Sequence, residues 1–173
     1  MKQTILALGI ALALLLTTAG CGGLSKDEKK ASASISKEFA GPKASPARKK
    51  VADCFGDKLV SEAGVEQLQK DKLIDKKLAA ASTPPKKLSK KSAEAYGDGL
   101  VSCFTFSKLK GDIKKTSPGA TDAQVDAYTT CLDAISDKDL KQAIVDGYTT
   151  SKETAAAKKV NAATQTCQKK LGS

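Results

Sequence analysis

The chain has 173 residues, with 29 Lys/Arg against 19 Asp/Glu for a formal charge of +10, and it contains neither His nor Trp. The lack of imidazole removes the commonest general base and metal ligand. Four Phe and three Tyr are too few for an aromatic-rich core or a base-stacking surface, which argues against a nucleic-acid partner.

The first residues set a compartment. Lys2 gives a positive start, residues 5–16 form an apolar run, and Thr17, Thr18, Ala19 and Gly20 are small side chains ahead of Cys21. That order describes an export signal, in which a short apolar helix engages the translocation machinery and small side chains fit the peptidase pocket. Thr18-Ala19-Gly20-Cys21 resembles the lipobox of bacterial lipoproteins, with Thr18 standing where that family prefers Leu. The resemblance implies that residues 1–20 are removed, that the Cys21 thiol receives a diacylglycerol and that the new amino end is acylated. Several acyl chains are needed for firm anchoring, because one alone binds a bilayer only marginally. Plain secretion and an uncleaved anchor helix are the alternatives. The second is disfavoured because the run turns to Thr, Gly and Ser after Leu16, short of the roughly 20 apolar residues that a span requires.

Residues 21–44 read as a flexible tether. They are rich in Gly, Ser, Ala and Lys, a composition that buries too little surface to order itself, and as a coil they reach about 25 Å. The charge excess concentrates here: Lys26, Lys29, Lys30, Lys37, Lys43, Arg48, Lys49 and Lys50 face only Asp27, Glu28 and Glu38 up to residue 50. These eight cations are a solvated spacer or a contact for anionic headgroups or wall polymers.

Residues 45–173 read as one all-α domain, a small bundle of about five to six helices, since Ala, Lys, Leu, Asp and Gln dominate and strand alternation is absent. Ser45-Pro46 opens the first helix, with Ala47, Val51, Cys54, Phe55 and Leu59 on one face and Gly64 at its end. Residues 65–81 predict a bent or partly exposed helix. Ser82-Thr83-Pro84-Pro85 is a loop. A helix over residues 89–106 presents Ala93, Tyr96, Leu100, Cys103 and Phe104, and its Gly97 and Gly99 admit a close neighbour. Leu109 and Ile113 suggest a further turn before Ser117-Pro118-Gly119. Thr121-Asp122-Ala123-Gln124 is a capping box, followed by Val125, Tyr128, Leu132 and Ile135. A short helix from Ser136 to Gly147 and a last helix, opened by a capping box at Thr150-Ser151-Lys152-Glu153, complete the chain. The last helix puts Ala156, Val160, Ala163, Cys167 and Leu171 on one face.

Setting Cys21 aside leaves Cys54, Cys103, Cys131 and Cys167. An even set in an exported chain predicts two disulfides, whereas the wide spacing without His or Cys-x-x-Cys argues against metal. Two halves share one plan of cysteine helix, short helix and cysteine helix. That weak repeat favours Cys54–Cys103 and Cys131–Cys167 among the three possible pairings. In this general plan the domain resembles small cysteine-paired helical lipoproteins of Gram-positive actinobacteria, with no motif that carries over a functional residue.

No catalytic constellation or cofactor motif appears. Ser36-Lys37 and Ser89-Lys90 read as chance pairings in a Lys-rich chain. The expectation is a non-catalytic, lipid-anchored extracytoplasmic protein that binds or adapts another envelope protein. An electrostatic component on anionic polymers and a carrier of an apolar ligand between helices are the other readings. Gly22 is not the Asp that signals inner-membrane retention in Gram-negative lipoproteins, which by that resemblance implies the outer membrane where a cell has one.

Overall fold

The computed structural model describes residues 23–172. Among them are eight α-helices and no strand: α1 Lys26–Ala40, α2 Pro46–Ala63, α3 Val65–Lys70, α4 Lys90–Cys103, α5 Lys110–Thr116, α6 Asp122–Asp133, α7 Asp137–Thr149 and α8 Ala155–Gln168. Short 3-10 turns cover Phe106–Leu109 and Lys169–Leu171. Side-chain caps begin most of the longer helices. Ser25, Ser45, Ser89, Thr121, Ser136 and Thr154 each accept the amide two or three residues into the helix they open, a bond worth about 1 kcal/mol.

The helices pack in sequence, α1 on α2, α2 on α4, α4 on α7 and α7 on α8. A ladder of rings crosses the first four. Phe39 of α1 stacks on Phe55 of α2 at 4.5 Å between centroids, Phe55 meets Tyr96 of α4 edge-on at 4.9 Å, and Tyr96 meets Tyr148 of α7 at 5.1 Å. A glycine lies at each of these junctions. A Cβ on Gly56 would come within 2.7 Å of the Ser32 carbonyl oxygen, one on Gly99 within 3.0 Å of the Phe55 ring, and one on Gly97 within 3.1 Å of the Lys141 side chain. The close approach expected at Gly97 and Gly99 is therefore present, to α7 and α2 respectively. Burial raises the Tyr96 hydroxyl above the ordinary phenol range, and the neighbouring Tyr148 adds to the shift.

The largest correction concerns residues 21–44. The expected flexible tether is, from Lys26 to Ala40, helix α1, which buries Ala31, Ser32, Ile35, Ser36 and Ala40 against α2. Around Ile35 and Phe39 its contact face is built of small residues. The Ser36 hydroxyl donates to the Ala52 carbonyl at 2.9 Å and the Ser32 hydroxyl donates to Asp57 at 2.5 Å. Hydroxyls satisfied in this way pack without the cost of an unpartnered polar group. Ser25-Lys26-Asp27-Glu28 forms a complete capping box at its start.

Other boundaries shift for local reasons. The second helix of the domain ends at Lys70, because Lys72 and Leu78 take positive φ of 60° and 68° and an Ile74–Ala80 bridge closes a turn. Asp75 holds that turn by accepting the Lys77 and Ala79 amides. Gly147 lies inside α7 rather than ending it. The proposed box at Thr150 is not a cap: Thr150 follows α7, and Thr154 caps α8. Cys54, placed on the apolar face by spacing, is exposed, because the buried stripe of α2 runs through Val51, Ala52, Phe55, Gly56, Leu59 and Val60 and leaves it at the edge.

Both favoured disulfides are present, with Cα–Cα separations of 5.7 Å for Cys54–Cys103 and 5.5 Å for Cys131–Cys167. They serve unequal halves. The main core draws its buried residues from α1 to α4 and the 71–88 connection, with Val145 as the single contribution from beyond Cys103. In α8 the buried side chain is Cys167 alone. Closing 36 residues restricts the unfolded chain by about 4 kcal/mol in the chain-entropy account.

This packing has measurable consequences. Gly56→Val should lower stability by about 2 kcal/mol through overpacking, read as a fall in the urea midpoint. Gly147→Ala, which meets nothing within 4 Å, should raise it by up to about 1 kcal/mol. Replacing Cys131 and Cys167 by Ser should abolish amide protection in α8 while α1, α2 and α4 keep theirs. Equal loss across both halves would contradict the division of the core.

Candidate functional site

The surface that the sequence singles out is basic, and the structure divides it in two. Lys26, Lys30 and Lys37 fall at i, i+4 and i+11 along α1, with the exposed Ala33 completing the row, opposite the buried Ala31, Ser32 and Ile35. The row extends about 16 Å at 1.5 Å per residue, and Lys29 flanks it. Lys43, Arg48, Lys49 and Lys50 gather instead around the turn between α1 and α2. All eight are exposed.

None of the eight forms an ion pair with a carboxylate of the described residues, whereas Lys58, Lys90, Lys110, Lys114, Lys115, Lys141, Lys158 and Lys159 each do. Two of the nearby acids have other engagements. Hydrogen bonds from the Ser25 amide and hydroxyl hold the Glu28 carboxyl below the usual range. Asp112 accepts from the Ser45 hydroxyl at 2.6 Å and pairs with Lys115. It thereby places a negative charge at the start of α2, where three consecutive cations oppose the helix dipole.

Sequence reasoning missed a basic neighbour. Ser34 of α1 accepts the Ala80 amide at 2.8 Å, which brings the 71–81 turn and its exposed Lys72, Lys76 and Lys77 beside α1. The Lys-rich run was visible, but nothing local reveals that it returns to α1.

Two hollows bear on the ligand-carrier expectation. An apolar cleft between Ile35, Phe39, Phe55, Leu59, Leu73 and Tyr96 holds about 130 Å³, well under the roughly 300 Å³ at which small-molecule sites begin. A hollow of about 740 Å³ over the 66–81 region is open and rimmed by Glu66, Lys70, Lys72, Asp75 and Lys76.

The serines weighed for chemistry are in structural use. Ser36 is buried and donates to Ala52. Ser89 caps α4 and donates to Asp71 at 2.6 Å. Burial opposes ionisation of Asp71, yet the hydrogen bonds led by the Ser89 hydroxyl hold its carboxyl below the ordinary range. Among the described residues no group of three or more His, Cys, Asp or Glu could hold a metal, and no helix is long and apolar enough to cross a membrane. Cys21 lies outside the described residues.

No family model, curated protein or solved structure matches the chain.

The pairing pattern makes a direct prediction for amine acetylation of the protein in dilute buffer. Lys26, Lys30 and Lys37 should be modified several times faster than Lys141, which is only partly exposed and is held by Asp98 at 2.6 Å in a charge-assisted hydrogen bond. Equal rates would contradict the free state of the α1 lysines.

Proposed function

We propose that this chain is an exported envelope protein, anchored by lipid on Cys21, whose helical domain is a non-catalytic binding or adaptor module. The observation that carries the reading is the state of the cysteines. Four of the five are joined as Cys54–Cys103 and Cys131–Cys167, which suits an oxidising compartment and leaves Cys21 as the odd thiol. Cys21 precedes the first helix by five residues, follows an export-like segment and stands in a lipobox-like sequence. A modification that consumes that thiol accounts for all five.

The adaptor element is supported by the far side of the fold. Tyr128, Ile135, Leu140, Ile144 and Val160 on and between α6, α7 and α8 are only partly covered, and of these helices only α7 reaches the main core, through Val145 and Tyr148. They offer apolar surface to a partner in the envelope. The free cations of α1 favour a second role, contact with an anionic surface. The 130 Å³ cleft argues against carriage of an apolar ligand.

Two measurements test the reading. Cys21→Ser should release the domain from membranes or leave it unprocessed, with both disulfides intact on peptide mapping. Affinity capture from the native envelope should recover a stoichiometric partner whose binding is lost on Ile144→Asp. A Cys21→Ser protein that is cleaved like the parent and keeps its full membrane fraction would overturn the anchor, and capture of no partner would overturn the adaptor.

A further inference from the structure

We propose that α1 is a membrane-contact helix, lying along an anionic phospholipid surface with Lys26, Lys30 and Lys37 toward the headgroups, so that the domain is held with α1 down and α8 outward. The inference rests on the Cys21 anchor and adds the orientation of the domain behind it.

The argument begins with reach. A free tether of 23 residues would let the domain wander about 25 Å from its anchor. Because Lys26–Ala40 is folded onto α2, only the stretch between Cys21 and Lys26 is left to span the gap. Five residues extend at most about 17 Å, near two Debye lengths at physiological salt. The N-terminal end of α1 is therefore held close to the bilayer, together with Lys70 and Lys91, which share a hollow with Ser25, Asp27 and Glu28.

The face it presents fits that surface. The row of Lys26, Lys30 and Lys37 is exposed and without carboxylate partners, and Lys72, Lys76 and Lys77 stand on the turn that Ser34 ties to the same helix. The opposing charges on α1 are Asp27 and Glu38 at its flank and Glu28, which is bound in the cap. Since Ala31, Ile35 and Ala40 are buried in the fold, α1 has no apolar face to insert. The contact is with headgroups alone and must weaken with salt. A helix lying flat also brings Lys43, Arg48, Lys49 and Lys50, about 21 Å from the first turn along α1, to the same surface. An upright helix would not.

Orientation then sets what the far side can do. From α1 the fold steps through α2, α4 and α7 to α8, each step about 8–10 Å, so the partly covered apolar side chains of α7 and α8 are carried away from the bilayer.

The test uses the mature lipidated protein in vesicles of phosphatidylcholine alone or mixed with phosphatidylglycerol, with acetylation of each lysine read by mass spectrometry. Anionic vesicles should slow Lys26, Lys30, Lys37 and Lys43 by about tenfold or more, with recovery near 0.5 M salt and no change at Lys158 or Lys159. The triple variant K26Q/K30Q/K37Q should lose this protection at Lys43 as well, since three such contacts together are worth about a hundredfold in surface association. Flotation with both vesicle types but identical acetylation would overturn the inference and leave the anchor standing. Failure to float with either would overturn both. Protection by a soluble anionic wall polymer but not by anionic vesicles would overturn the bilayer as the occupant.

Discussion

Phe55 stands between Phe39 and Tyr96, and Tyr96 in turn meets Tyr148, so that a single line of rings runs through α1, α2, α4 and α7. In a chain with four Phe, three Tyr and no Trp, this ladder holds four of the seven available rings. Each contact contributes about 0.5–1.5 kcal/mol beyond simple burial. It works only because the helices approach closely, and the glycines set that distance: Gly99 lies against the Phe55 ring, Gly97 against α7 and Gly56 against α1. Small residues thus substitute for bulk. The salt bridge from Lys141 to Asp98 and the bond from the Leu88 amide to the Tyr148 carbonyl fasten the last rung.

Most of the helices were legible in the sequence, and the reason differs from one to another. Ser45-Pro46, Gly64 and the Thr121–Gln124 box are local signals whose meaning does not depend on the rest of the fold, and they bound the helices as expected. The disulfide pairing followed from a repeat of plan. The tether reading failed because it counted large apolar residues. In α1 the buried positions are Ala, Ser, Ile, Ser and Ala, a pattern that average hydrophobicity hides, although the Ser25–Glu28 box was present to be read. The truncation at Lys70 was not legible at all, since positive φ at Lys72 and Leu78 accompanies the tertiary burial of Leu73, Ile74 and Leu78 and has no local sequence signal such as Gly or Asn. Of the candidate surface, the eight cations were visible by composition. Their division into a row on α1 and a group at the turn required the fold.

The two halves have different mechanical characters. The first is a packed core with Cys54–Cys103 at its margin. The second is a thin layer in which Cys131–Cys167 takes the place of core packing, and Asp133 ties it back by accepting the Phe106 and Ser107 amides at 2.7 and 3.1 Å. A packed first half that carries the basic row of α1 and a lightly packed second half with partly covered apolar side chains suit the proposed division between a face that is held and a face that binds.

The account depends on α1 being a folded part of the domain rather than a leash, and amide hydrogen exchange of the unmodified protein tests this most directly. The amides of residues 31–40 should be protected nearly as strongly as those of the α2 residues they pack against, because opening α1 uncovers Ala52, Gly56 and the Phe39–Phe55 contact. Exchange of those amides at the rate of an unstructured peptide, with α2 still protected, would contradict it.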